Sequence, residues 1–127
     1  MKVYLSARFG RQEEMQSVAR RIRCFGHEVV SSWIDHEVEP LDPEDAPGIA
    51  ERELEEIREL CDVMIHFSEE PGTPGAARGG RLVEFGMAAA LGKRLIVVGP
   101  VENIFHQIPG VARFETIGVA LAYLEHT

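Results

Sequence analysis

The sequence holds only two cysteines, Cys24 and Cys61, and their spacing matches no metal-binding pattern. Two isolated thiols suit a reducing compartment, and both are expected to be buried as small apolar residues. No apolar run approaches the roughly 20 residues that a membrane span needs. Met1-Lys2-Val3-Tyr4-Leu5 is too short and turns polar too soon to be a signal peptide, so a cytoplasmic protein with no membrane partner is expected. Positive charge is also scarce: 13 Lys and Arg stand against 21 Asp and Glu, a formal net charge of −8. That balance excludes a binder of nucleic-acid backbone, which needs clustered cations to displace counterions. The five histidines show neither HExxH nor paired spacing, so no metal site is expected. G-x-G-x-x-G and G-x-x-x-x-G-K-[ST] are both missing, which excludes the dinucleotide fingerprint and the P-loop. There is no internal repeat and no low-complexity tract.

What is present is the composition of an ordinary globular chain, 45% hydrophobic and 27% charged over 127 residues. That length fits one domain, 1–127, large enough to bury a core of its own. Charge is unevenly spread. Arg8, Arg11, Arg20, Arg21 and Arg23 crowd the first quarter, while residues 35–70 are acidic. A small anionic ligand near the N-terminal end is therefore compatible with the net charge.

Lys2–Ser6 (KVYLS) is a short β-rich run ending in the turn-like Ser-Ala-Arg-Phe-Gly. Met15, Val18, Ala19 and Ile22 recur at i, i+3, i+4 and i+7, which predicts a helix that Gly26 ends. His27–Ile34 (HEVVSSWI) is expected to be a second strand. Residues 35–48, with three prolines among acids, form a loop. A helix is expected from Ile49 to Cys61, a strand over Asp62–Ser68, a Gly/Pro loop, and an apolar helix from Arg81 to Leu91. Arg94–Gly99 makes a further strand, and Ile117, Ala120, Leu121 and Leu124 lie on one face of the last helix.

Strands alternating with helices imply βαβ units and a parallel sheet. Right-handed crossovers and short strands predict an α/β, flavodoxin-like (Rossmann-like) three-layer sandwich with five strands in the order 2-1-3-4-5. In such sheets a ligand sits beyond the carboxyl ends of the strands where the winding reverses, here between strands 1 and 3. The loops leaving those strands, SARFGR and SEEPGTPGAARGGR, are the richest in Gly and Arg.

Glu84 is the only ionisable residue in LVEFGMAAALG, a helix apolar nearly all round. A carboxylate there is costly unless used or paired. Placed in the first helical turn, it would be held ionised by the helix dipole and free amides. Two readings stand: a nucleophile toward an anomeric carbon, or a glutamate that only satisfies backbone donors. Glu53 falls on the stripe of Ala50, Leu54, Ile57 and Cys61, whereas Glu51, Glu55 and Glu59 face the other way. It reaches the pocket or pairs with an arginine at the stripe's edge. Ser6, Arg8, Gly10 and Arg11 supply a turn with helix-start amides and forked donors suited to phosphate, and Gly79-Gly80-Arg81 offers a second anion nest; ordinary turn chemistry is the alternative reading of both. Of the aromatics, Phe9 and Trp33 are the better placed to stack on a base.

With these residues in view, the chain resembles the nucleoside 2-deoxyribosyltransferase family, including its hydrolase branch, the 2′-deoxynucleoside 5′-phosphate N-hydrolases. The resemblance runs from KVYLSARFGR through AERELEEIRELCDVMIHFSE and GGRLVEFGMAAALGKRLIVVG to ENIFHQIPGV. Its most specific part, GGRLVEFGMAAALGK, implies that Glu84 is the nucleophile. The family's assisting Asp falls on Glu53, one methylene longer, and the classical transferases' Asp six residues before the nucleophile falls on Arg78. SARFGR is closer to the hydrolase branch, whose Ser-x-Arg-x-Gly-Arg loop holds a 5′-phosphate, and Tyr4 matches a family position near the sugar. The resemblance implies double displacement: Glu84 attacks C1′, an acid such as Glu53 protonates the leaving base, and a second base or water collects the sugar. It implies no cofactor and a homo-oligomer. A non-catalytic nucleotide-binding or sensor module and a TIR-like NAD glycohydrolase are the competing readings.

Overall fold

The computed structural model describes residues 1–36, 44, 46–74 and 79–126. It contains a five-stranded, all-parallel sheet in the order β2-β1-β3-β4-β5, the predicted flavodoxin-like order. The strands are β1 (Lys2–Ser6), β2 (Glu28–Val29), β3 (Val63–Phe67), β4 (Arg94–Val98) and β5 (Ala112–Phe114). The helices are α1 (Gln12–Cys24), α2 (Ala46–Glu55), α3 (Gly80–Ala90) and α4 (Ile117–Glu125). β1, β3 and β4 are near-continuous apolar runs because a parallel sheet covered on both faces offers no wet side. Val3, Tyr4, Leu5, Val63, Met64, Ile65, Ile96 and Val97 are all fully buried. Among the described residues no helix is long and apolar enough to cross a membrane.

Three expectations are corrected. The strand expected over 27–34 has only two residues, and Ser32–Asp35 forms a 3-10 turn. Side chains take over where the ladder stops: Ser31 Oγ accepts from Leu5 N–H at 3.0 Å, and the Trp33 indole N–H donates to Leu5 C=O at 2.7 Å. Those contacts satisfy the backbone groups of β1 that a longer neighbour would have paired.

The second helix also departs from its expected course. It begins at Ala46 and passes into a π-helical turn at Glu56–Leu60, where Cys61 N–H donates to Glu56 C=O at 2.9 Å. A π turn admits an extra residue and breaks the 3.6-residue stripe. Ala50 and Leu54 are consequently exposed, and Ile57, Cys61 and the unexpected Glu56 are buried. The third correction concerns Cys24, which is exposed at the end of α1. Cys61 is buried, and that burial pushes its thiol up to about 11, as for an inert core cysteine.

Candidate functional site

Gly79 opens α3 in the left-handed region, with φ 82°, a conformation glycine adopts without strain. Glu84 is the fifth residue of that helix, past the first turn in which it was expected, and it caps nothing. Its side chain reaches the carboxyl end of β1 instead. Tyr4 O–H donates to Glu84 Oε2 at 2.6 Å, and Ser6 O–H donates to Oε1 at 3.0 Å. Burial pushes the carboxyl up to about 8; the Tyr4 and Ser6 hydrogen bonds oppose this, and the Glu53 and Glu56 carboxylates add to it. The expected dipole-held carboxylate is corrected to a group largely neutral at pH 7 in the free protein.

Glu53, on α2, is half-buried, and burial followed by the neighbouring Glu56 pushes it up to about 7. Glu56 accepts from Ser32 N–H at 3.2 Å. Burial, then Glu84 and Glu53, hold the Tyr4 hydroxyl well above its usual range, so it is a proton donor throughout the physiological range. The site thus gathers Tyr4, Glu84, Glu53 and Glu56. Helical periodicity had no means of placing Glu56 inside, because the π turn is what rotates it there.

The turn after β1 carries the expected arginines, but they are engaged. Arg8 Nε donates to Glu69 Oε1 at 3.1 Å and Arg11 Nη1 to Glu69 Oε2 at 2.8 Å. Arg11 also forks onto Glu14 at 2.9 and 2.7 Å and lies 5.1 Å from the Phe67 ring centroid. Gly10 is exposed, and a Cβ there would come 2.7 Å from Arg8 Nη1, so glycine leaves room for the guanidinium to cross the turn. Glu69, two residues past β3 and only 8% exposed, has no signal of its own in the sequence beyond its place in the Gly/Arg-rich loop.

Arg81 does not complete an anion nest with Gly79 and Gly80. It is buried and forks onto Glu102 at 2.6 and 2.5 Å. Around that pair lie two histidines missed by the spacing argument, His66 on β3 and His106 after β4, both fully buried. Donor atoms of His66, Glu102 and His106 fall within 4.8 Å of one another, a set of metal-ligating types. The Glu102 carboxylate already serves Arg81 and accepts from Glu69 N–H at 3.2 Å, and the guanidinium charge opposes a cation there. An ion-pair cluster is the better description. Trp33 is corrected from stacking platform to core: it is 3% exposed with its indole N–H used. Phe9 is half-buried and tilted against it at 6.2 Å. Arg78 and residues 37–43 of the acidic loop lie outside the described residues.

No family model and no curated protein matches this chain. Two glutamates in different environments, one gripped by hydroxyls and one half-buried, are the ingredients of paired-carboxyl chemistry, in which one acid protonates and the other attacks.

Proposed function

We propose that this protein cleaves the N-glycosidic bond of a deoxynucleoside or its 5′-monophosphate, as a member of the nucleoside 2-deoxyribosyltransferase family that its sequence resembles. Glu84 attacks C1′ and forms a glycosyl ester. Glu53 protonates the departing base, and another base or water then takes the sugar. The observation that carries this reading is the grip of Tyr4 and Ser6 on the buried Glu84 at the carboxyl edge of β1. A carboxyl fixed at both oxygens presents one defined attack geometry, and little entropy remains to be lost. A substrate that brings developing positive charge to the anomeric carbon favours the ionised form at the moment it is needed. No metal or organic cofactor enters these steps.

The same reading places the protein in the cytoplasm as a homo-oligomer. Val101, Ile104, Phe105 and Ile108 expose apolar area in one short segment that a second copy would cover. Light scattering of the purified protein tests the assembly.

The deciding experiment is chromatographic: purified protein with deoxynucleosides, ribonucleosides, their monophosphates and NAD, with and without an acceptor base. Release of free base supports the reading, and the acceptor separates transfer from hydrolysis. A folded protein that releases no base from any of them is a binding module. Turnover of NAD alone makes it an NAD glycohydrolase.

A further inference from the structure

Ser6 stands between two buried groups. Its Oγ is 3.0 Å from Glu84 Oε1, 3.0 Å from His66 Nδ1 and 3.3 Å from the Arg81 carbonyl oxygen. A hydroxyl has one hydrogen, so these three acceptors compete for it unless one of them carries a proton of its own. A neutral His66 with its proton on Nδ1 donates to Ser6 Oγ, and the hydroxyl hydrogen is released toward Glu84. With the proton on Nε2, bare Nδ1 draws the hydroxyl hydrogen away, and Glu84 Oε1 then needs a proton of its own. The His66 tautomer thus selects which form of Glu84 the site supports.

The surroundings of Nε2 decide the tautomer. His66 packs edge-on to His106, with ring centroids 5.1 Å apart. His106 Nδ1 accepts from Glu102 N–H at 3.3 Å, which leaves its proton on Nε2. Among the described residues, His106 Nε2 and Arg81 Nε are buried without a partner, and so is His66 Nε2. His106 Nε2 and Arg81 Nε are donors, and the acceptor of the cluster, the Glu102 carboxylate, is already taken by Arg81 and Glu69 N–H, so nothing calls for a hydrogen on His66 Nε2 and it keeps the lone pair. Burial first, then the neighbouring His106, Arg81 and Arg11, push His66 down to about 3 against the opposing Glu102 carboxylate, so it is neutral across the working range.

Resting on the reading of Glu84 as nucleophile, we propose that His66 is a positioning residue: its Nδ1–H turns the Ser6 hydroxyl onto Glu84 Oε1 and so favours the carboxylate. The groups that face Glu84 are Tyr4 and Ser6 from β1 and Glu53 and Glu56 from the α2 side, so His66 acts only through Ser6.

The test reads the carboxyl itself. Nitrogen NMR of the wild-type protein should show His66 as the Nδ1–H tautomer; an Nε2–H tautomer overturns the proposal. His66→Phe keeps an aromatic ring but loses the Nδ1–H that holds the Ser6 lone pair, so the hydroxyl hydrogen is shared between Glu84 Oε1 and the Arg81 carbonyl, and carbon NMR of labelled glutamate should show the Glu84 midpoint rising. His66→Asn, whose amide N–H stands near Nδ1, should restore it, and Ser6→Ala should raise the midpoint at least as far, with His66→Phe adding nothing on top of it. An unmoved midpoint in His66→Phe, or a shift that Asn does not reverse, sinks the proposal. Should His66→Phe not fold, His66→Gln, which reproduces Nε2 but not Nδ1, takes its place. These readouts need no turnover. Absence of base release in the wild type would defeat the proposed function while leaving the titration to judge His66.

Discussion

The Tyr4 hydroxyl donates a 2.6 Å hydrogen bond to Glu84 Oε2, joining the first strand to the third helix inside the protein. Tyr4 has no solvent exposure, so this bond is made without competition from water. It favours the charged carboxyl against the burial that opposes it. Tyr4→Phe removes the donor and keeps the ring. The Glu84 midpoint should rise, and base release at pH 7 should fall on the order of tenfold or more. Stability should change by only about 0.5–1.5 kcal/mol, because a neutral carboxyl tolerates the loss. Turnover and denaturant melts on the same preparations check this. An unchanged rate would show that Tyr4 serves the core and not the carboxyl.

Stability should fall as pH rises. Glu84 and Glu53 titrate near 8 and 7 when folded, against an ordinary 4.5. Both are raised, so their contribution is intact below pH 4.5 and is lost as pH climbs through the folded values. Between those limits the unfolded chain binds fewer protons, and each raised group removes up to about 1.4 kcal/mol per pH unit. Glu84→Gln should abolish base release, fold normally, and melt higher than wild type at pH 8–9 while matching it near pH 4.5. Thermal melts across that range measure the difference. A Gln variant that is no more stable at pH 9 would place Glu84 in a wetter setting than the geometry implies.

The sheet order and central strands were legible because apolar runs and alternating helix signals are local, and parallel topology follows from few rules. Glu84 was legible as a lone charge in an apolar helix, and SARFGR as a Gly/Arg loop. What escaped was set by tertiary substitution. Ser31 and Trp33 end β2 by taking Leu5's backbone partners, and the π turn brings Glu56 inward. The ion pairs from Glu69 and Glu102 join residues tens of positions apart in sequence, beyond any periodicity. The helix-dipole argument for Glu84 failed because Glu84 sits past the first turn of its helix and burial dominates its titration.

The pH–rate profile should be bell-shaped with its maximum between pH 7 and 8. Attack needs Glu84 ionised, and leaving-group protonation needs Glu53 protonated, so activity rises toward the first midpoint and falls beyond the second. The two carboxylates interact, so the limbs belong to the pair. Glu53→Gln should slow cleavage about 10²–10⁴-fold, with smaller losses for better leaving bases, and should erase the alkaline fall. Equal losses across good and poor leaving bases would make Glu53 structural.

The loop after β1 decides between nucleoside and monophosphate. Arg8 and Arg11 are held by one carboxylate, Glu69, which occupies the space between them as an anion would. Arg8 is a third exposed, and a partly wet ion pair of this kind is worth about 1 kcal/mol or less. A phosphate, with more charge and more acceptor oxygens, can therefore compete for the guanidinium. Charge-assisted hydrogen bonds are worth about 1.5–3 kcal/mol, so Arg8→Ala should cost the monophosphate roughly tenfold to a hundredfold in kcat/KM. The free nucleoside should lose little. Glu69→Gln should act in the opposite direction, raising kcat/KM for the monophosphate several-fold by removing a repelling charge, and leaving the nucleoside unchanged. The rival account treats Arg8 as a strut for Glu69. It requires equal losses for both substrates in Arg8→Ala, a lower melting temperature, and a Glu69→Gln variant that damages both alike. Kinetics on the two substrates with wild type and both variants separate these accounts, and parallel losses would reject a phosphate loop and favour a nucleoside as the substrate.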